Sequence, residues 1–340
     1  MNVSVVIPTY NRATVIGEAL NSVMSQTYRN FEILVVDDGS MDDTAERVER
    51  FVQEGHVRLI RQANAGASAA RNAGIRLCKG EIISFLDSDD LWKPEKLSLE
   101  VEFLTLHPEI DAIFSDLEKY DGKEFTPSFM RSTEVFSRLL ADHRSADGMA
   151  LSQRQMLLCL LQEIPIKPST LTIRRAMFTR IGYFLTSWRS SEDWEFLLRL
   201  AHVGRFGYLD RPLGALRVRG DALHRADAEG GLARMRHRLV EEKDRLAKDP
   251  EGMVAVRRGI SNLSTHLGWH YLECKRKGAA LKTYVTGFFQ SRDLELMLRA
   301  LSLCLPEAIR LPIIGMVKCR QARGDPAPTQ GRDEMCRRRV

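Results

Sequence analysis

The run Asp87-Ser88-Asp89-Asp90 puts three carboxylates within four residues, directly after the apolar, strand-like stretch Glu81 to Leu86. Residues two apart on a strand face the same side, so Asp87 and Asp89 converge if the extended geometry continues past Leu86. Like charges held so close repel unless a cation neutralises them. Mg²⁺ and Mn²⁺ take oxygen ligands, often one or two carboxylates plus substrate phosphates. The same run also suits a solvated acidic turn that caps the helix opened by Lys93-Pro94-Glu95. Two further acidic groups stand beside other elements. Asp37-Asp38-Gly39-Ser40 follows the β-rich Phe31 to Val36, and Ser190-Ser191-Glu192-Asp193 precedes the amphipathic run Trp194 to Leu200. Read alone, the second is a Ser cap with acids in the first helical turn.

The elements that must position these groups alternate with a regular beat. Strand signals at Val3–Ile7, Phe31–Val36, Val57–Ile60, Ile82–Leu86 and Ile110–Phe114 alternate with helical spacing at Ala13–Met24, Asp42–Val52, Ala67–Leu77 and Glu95–Leu106. Asn11 is available as a cap near the first helix. Near-continuously apolar strands in this order predict an α/β fold, a mostly parallel sheet covered by helices on both faces. Ligands bind such sheets outside the carboxyl ends of the strands. Thr9–Arg12, Asp37–Ser40 and Asp87–Asp90 all fall at strand carboxyl ends. Beyond residue 115 the pattern turns helical from Ser132 to Glu163 and returns to strand at Ser169–Ile173. Two closing strands follow, at Phe206–Leu209 and Leu213–Val218, and after Gly230 the chain reads as helical throughout.

Composition excludes several classes. Hydrophobic residues at 44% and charged residues at 28% are ordinary for a soluble globular protein. Val3 to Ile7 is too short for a signal peptide, and six scattered cysteines without C-x-x-C spacing argue against disulfides or zinc and for a reducing cytosol. His266 and His270 have a zinc-compatible i,i+4 spacing, but no Glu follows His266, so no metal is expected there. The net charge of +5 divides unevenly, −5 over residues 1–230 and +10 over 231–340. A basic tail can meet nucleic acid or an anionic membrane surface; without aromatic–basic interleaving, nucleic acid is not expected. Leu301 to Val317 is apolar but interrupted by Pro306, Glu307, Arg310 and Pro312, short of the ~20 apolar residues that a span needs. Peripheral contact with the inner membrane face and a bundle with a solvated basic face both remain open.

Five motifs occur in one order: Pro8-Thr9-Tyr10-Asn11-Arg12, Val35-Val36-Asp37-Asp38-Gly39-Ser40, Asn64-x₆-Arg71-Asn72-x-Gly74, Asp87-Ser88-Asp89-Asp90 and Glu192-Asp193-Trp194. Together they resemble the family 2 glycosyltransferases, the large inverting group with the GT-A fold, over roughly residues 1–220. The resemblance implies a catalytic domain over 1–225, with a nucleotide-binding half (1–115) and an acceptor half (116–225). A basic helical region follows over 226–340, its last ~20 residues expected to be disordered. It implies a nucleotide-sugar donor, a glycan or lipid-linked acceptor and a divalent Mn²⁺ or Mg²⁺. Thr9, Tyr10, Asn11, Arg12, Asp37, Asp38, Arg71 and Asp87 fall to the nucleotide, with Asp38, Thr9 and Arg71 on a base that is usually uracil. Asp37 is alternatively structural, satisfying amides of the Gly39 turn, and Arg71 taken alone is a helix-surface cation.

By the same resemblance Asp89 binds the metal, with Asp87 sharing it or lying against the ribose. Asp193 is the base that takes the acceptor proton, and Glu192 and Trp194 shape the acceptor pocket. One departure stands out. Related enzymes often carry His where this chain has Arg219, and an arginine cannot ligate a cation although it can pair with phosphate. His224 is close enough in sequence to substitute. The expectation is a cytosolic transferase adding one sugar in bacterial surface-polysaccharide assembly. The rivals are a nucleotide-sugar binder with impaired catalysis and a nucleotidyltransferase of related fold, although the Gly-rich basic loop of the latter is missing after the first strand. No G-x-G-x-x-G follows that strand either, which sets aside a Rossmann dehydrogenase.

Overall fold

The computed structural model describes residues 1–121, 124–126, 129–141, 148–218 and 227–305. These residues fall into two compact units, Met1–Met235 and Arg236–Val340. In the first, strands β1 (Val3–Thr9), β2 (Phe31–Asp37), β3 (Val57–Arg61) and β4 (Ile82–Phe85) alternate with helices α1 (Ile16–Met24), α2 (Thr44–Gln53) and α3 (Ala67–Leu77). Every residue of β1 is buried, as a strand covered on both faces requires. On α1 the buried residues Ile16, Ala19, Leu20 and Val23 recur at i, i+3, i+4 and i+7, a single apolar stripe laid on the sheet. Each such side chain contributes ~1.5–3 kcal/mol when fully buried.

Strands β3, β2, β1 and β4 pair in parallel, in that spatial order. The next elements are β5 (Leu91–Trp92), α4 (Lys96–Leu106), β6 (Ala112–Tyr120), β7 (Phe125–Thr126), α5 (Glu134–Ala141), β8 (Met149–Leu151), α6 (Gln153–Leu160), β9 (Leu171–Arg174), α7 (Met177–Ile181), α8 (Glu192–Ala201) and β10 (Phe206–Arg217). Strand β9 inserts antiparallel between β4 and β6, and β10 runs parallel to β6. The α/β architecture expected from the alternating pattern is present, with antiparallel additions beyond β4.

Two local expectations change. The closing strands are one continuous strand, β10, whose register against β6 shifts on either side of Pro212. Proline cannot donate to a ladder, so pairing passes it through an irregularity instead of stopping. Extended geometry also ends at Phe85, since the Asp90 amide donates to the Asp87 carbonyl (3.0 Å) and closes a turn. The strand alternation that would aim Asp87 and Asp89 together does not apply there.

The second unit contains the helices Pro250–Glu273, Lys277–Ser291 and Leu294–Cys304. They pack around Ala280, Tyr284, Leu296, Ala300 and Leu303. Among the described residues no helix is long and apolar enough to cross a membrane. The residues expected to be disordered lie outside the described ones, as does most of Leu301 to Val317.

Candidate active site

The carboxyl end of β1 meets the Asp37–Ser40 turn. The Asp38 amide donates to the Thr9 carbonyl (2.9 Å), and Asn11, at φ +50°, accepts the Met41 amide on Oδ1 (2.9 Å). Asn11 therefore ties β1 to the turn and does not cap α1, which starts at Ile16 without a side-chain cap. The Arg12 amide donates to Thr44 Oγ1 (2.7 Å), and the Arg12 guanidinium faces Asp89 Oδ2 across 3.4 Å. Tyr10 is partly exposed at this rim. Asp37 is wholly buried; its Oδ1 accepts the Ser40 amide (2.9 Å) and Arg61 lies 3.4 Å from Oδ2. That is the structural alternative foreseen for it. Gly39 has φ +78°, and a Cβ there would stand 3.0 Å from the Asn64 amide nitrogen, so both backbone conformation and space call for glycine.

Asp38 is 3% exposed. Its carboxylate accepts Gln62 Nε2 (2.7 Å), the Ala65 amide (2.9 Å) and the Gly66 amide (2.7 Å). A carboxylate has about four acceptor positions, so one is left for a ligand. Its main work is to hold the loop that launches α3.

Helix α3 presents Arg71, the group on which the site turns. Its Nη1 donates to Glu192 Oε1 and its Nη2 to Asp87 Oδ1, both at 2.8 Å, with its side chain 5% exposed. Burial opposes its charge, but the Asp87 and Glu192 carboxylates outweigh that and raise its pKa above the ordinary value. Asn72 exchanges two hydrogen bonds with the Phe184 backbone, and the Phe184 ring lies 5.5 Å from the Arg71 guanidinium. Arg71 is a buried bridge with both terminal nitrogens engaged, not a surface cation, and its Nε has no hydrogen-bond partner within the chain.

The acidic turn divides by burial. Asp87 and Asp89 keep side-chain exposures of 31% and 25%, whereas Asp90 is 2% exposed. Ser169 Oγ donates to Asp90 Oδ2 (2.5 Å) and accepts the Asp87 amide (3.0 Å), and the Arg217 amide donates to Asp90 Oδ1 (3.0 Å). Burial, reinforced by the Asp87 and Asp89 charges, pushes the Asp90 carboxyl well above the usual range. Asp90 is the internal post on which the turn stands. Ser169 and Arg217 carry no signal in the sequence that would single them out, because they reach Asp90 across 79 and 127 residues.

Could this turn hold a divalent cation? Its two outward carboxylates are hard oxygen donors, each already facing an arginine, and they suit an ion whose remaining ligands are phosphate oxygens. The donor chemistry fits Mn²⁺ or Mg²⁺. Among the described residues no group of three or more His, Cys, Asp and Glu gathers to hold a metal unaided, and none does so at His266 and His270.

Helix α8 begins at Glu192, with Ser191 before it at φ +60°. Left-handed backbone at a non-glycine residue costs ~1–3 kcal/mol, so the surroundings must impose it. Ser191 makes no side-chain cap, contrary to the cap expected there. Burial pushes the Glu192 carboxyl up, Arg71 pulls it back, and neighbouring Asp193 adds to the rise. Asp193 accepts the Trp194 amide on its own Oδ1 (2.8 Å) and is half-buried. Trp194 is 1% exposed and donates Nε1–H to the Leu160 carbonyl (2.8 Å). Its side chain anchors α8 in the core. Arg219 and His224 lie outside the described residues.

Hydrogen bonds and ion pairs thus join the separate motifs: Thr9 to Asp38, Asp38 to the α3 loop, Arg71 to Asp87 and Glu192, and Arg12 to Asp89. The model of the family described as "Glycosyl transferase family 2" matches residues 4–177. The chain belongs to that family. An uncharacterized glycosyltransferase of Rickettsia felis is 32% identical over 219 residues, covering 64% of this chain and 33% of that protein. The family 2 chain thus spans about a third of the length of that relative. Over 140 residues it is 33% identical to the UDP-Glc:alpha-D-GlcNAc-diphosphoundecaprenol beta-1,3-glucosyltransferase of Escherichia coli, covering 41% of this chain and 54% of that one. The fold is shared with S. aureus TarS 1-349 in complex with UDP-GlcNAc (TM-score 0.57, 20% identity, 86% of this chain and 93% of that one). It is shared too with a Pyrobaculum calidifontis mannosyltransferase in complex with GDP-Man and Mn²⁺ (TM-score 0.54, 21% identity, 92% and 83%).

Proposed function

We propose that this chain is an inverting glycosyltransferase that moves one sugar from a nucleoside-diphosphate donor, uridine-linked by preference, to a hydroxyl of a glycan or lipid-linked acceptor. The observation that carries this reading is the Arg71 bridge, which ties the acidic turn at Asp87 to the head of α8 beside Asp193. Family membership supports the nucleotide-sugar donor, and the buried Thr9 hydroxyl without a protein partner supports a ligand at the β1 end.

Inversion is one displacement. The acceptor oxygen bonds to the anomeric carbon while the bond from that carbon to the diphosphate breaks, its electron pair leaving with the nucleotide. Asp193 takes the hydroxyl proton. Glu192, held by Arg71, stays turned away from the acceptor and leaves Asp193 as the carboxylate free to act. Asp89, with Asp87, would hold a divalent cation that neutralises charge on the departing diphosphate. Arg12 and Arg71 orient those two carboxylates. The excess positive charge after residue 230 favours work at an anionic membrane face on the cytoplasmic side, in surface-polysaccharide assembly.

The test is nucleoside-diphosphate release from UDP-glucose, UDP-GlcNAc and GDP-mannose, with and without Mn²⁺. Asp193→Asn lowers turnover on the order of 10²–10⁴-fold while nucleotide binding is kept. Turnover unchanged in Asp193→Asn refutes the assignment of the base, and nucleotide binding with no turnover by the parent protein favours a binding module.

A further inference from the structure

The turn that aims Asp193 is gripped from a distant part of the chain. Ser190 Oγ is buried and lies 3.1 Å from both the carbonyl and the Oδ2 of Asp227, to either of which it donates. Arg234 Nη2 donates to Ser190 Oγ (3.2 Å) and to Asp227 Oδ2. The Arg234 guanidinium lies over the Trp188 ring at 5.7 Å, and Trp188 packs against Trp194 at 6.3 Å. Gly231, between the two polar groups on the helix Ala228–Arg245, presses on the turn itself. A Cβ there would stand 2.5 Å from Ser190 Oγ and 3.0 Å from Ser191 Oγ.

We propose that Asp227, Gly231 and Arg234 form a latch on Ser190 that holds Ser191 in its left-handed conformation and so aims the Asp193 carboxylate at the acceptor hydroxyl. Three observations converge on this. Ser191 has no cap of its own, so its backbone is set from outside. The outside contacts come from one short stretch, 37 to 44 residues downstream, that touches the turn by hydrogen bonds and close packing at Gly231 and is itself braced by the Arg234–Asp227 ion pair. The pair that makes them is strongly engaged, since the Arg234 hydrogen bond, offset by partial burial and joined by Ser190, holds the Asp227 carboxyl below its usual range. These are positioning residues; none of them is assigned to donor or acceptor. The inference rests on Asp193 being the base.

The experiment compares Arg234→Ala, Arg234→Lys, Gly231→Ala and Asp193→Asn in the full chain, using the donor consumed fastest among UDP-glucose, UDP-GlcNAc and GDP-mannose. A misaimed base loses rate without losing donor. Arg234→Ala and Gly231→Ala are therefore expected to lower kcat on the order of 10- to 100-fold with donor KM within about twofold. Arg234→Lys, which keeps the charge but not the fork, should recover part of that loss. Amide hydrogen exchange should rise at residues 192–195 in Arg234→Ala while exchange in β1 and β2 stays that of the parent. Unchanged kcat in both Arg234→Ala and Gly231→Ala, with Asp193→Asn inactive, overturns the latch alone. Full activity in Asp193→Asn overturns the base and the latch with it. If Arg234→Ala fails to fold, Gly231→Ala and Arg234→Lys decide by the same split between kcat and KM.

Discussion

Replacing Arg71 with methionine keeps the bulk of the side chain and removes the charge, which makes it the sharpest probe of the site. Two carboxylates lose their partner at once. Breaking a buried ion pair by deleting one member costs ~3–5 kcal/mol, because the survivor stays desolvated. Asp87, 31% exposed, regains water and contributes little; Glu192, at 13%, does not. The expected loss therefore lies near the lower end, ~3 kcal/mol at pH 7.5. Its pH dependence follows from the direction of the Glu192 shift. Burial already raises that carboxyl above its ordinary 4.5, with Arg71 opposing. A group raised in the folded state favours folding below its unfolded pKa and loses that contribution as pH rises through its folded pKa. Without Arg71 the folded value climbs further, so Arg71→Met is most impaired at pH 7.5 and recovers towards pH 5 as Glu192 takes a proton. Urea unfolding of parent and variant at the two pH values measures this. Adding Glu192→Gln to Arg71→Met removes the stranded charge and should return part of the stability at pH 7.5. An equal deficit at both pH values, or a double variant no more stable than Arg71→Met, refutes the bridge as a charge-neutralising element.

Two further outcomes are expected. Thr9→Val removes a buried hydroxyl that has no partner, so the melting temperature should hold or rise, while UDP binding by calorimetry should weaken by ~1 kcal/mol, about fivefold. Glu100→Gln strands Lys96, which is wholly buried 2.6 Å from the Glu100 carboxylate, and should destabilise the chain by ~3–5 kcal/mol in urea without altering donor KM.

Much of this architecture could be read in advance, and the reasons are local. β1 and α1 announce themselves because their apolar periods are set by burial against one sheet, a property of consecutive residues. The acidic turn was visible as a cluster, but its division of labour was not. Asp90 differs from Asp87 and Asp89 only because Ser169 and the Arg217 amide, 79 and 127 residues away, receive it inside the fold. The family resemblance assigns Trp194 to the acceptor pocket but says nothing of what holds its side chain. Its indole donates to the Leu160 carbonyl, a contact that no local pattern encodes. The last strand reads in sequence as two, Phe206–Leu209 and Leu213–Val218. The strand continues because β6 offers a long neighbour against which pairing can resume after the irregularity.

Several buried polar atoms have no hydrogen-bond partner within the chain. Buried hydroxyls and guanidinium nitrogens are normally satisfied, because an unpaired one forfeits ~1–3 kcal/mol. In the first unit Thr9 Oγ1, Ser68 Oγ, Ser115 Oγ, Arg71 Nε and Arg234 Nε share that condition. Thr9 ends β1, and Ser68 and Arg71 occupy the first turns of α3, whose loop is held by the Asp38 carboxylate beside Thr9. Three of these five, Thr9, Ser68 and Arg71, lie on two adjoining elements at the carboxyl edge of a parallel sheet, where such folds bind ligands. In the proposed reading a heterocyclic base, with both donors and acceptors on its edge, meets the Thr9 hydroxyl and the open lone pair of Asp38 together. On that reading Asp38 serves the nucleotide in two ways, by its remaining lone pair and by fixing the loop that leads into the helix carrying Ser68 and Arg71.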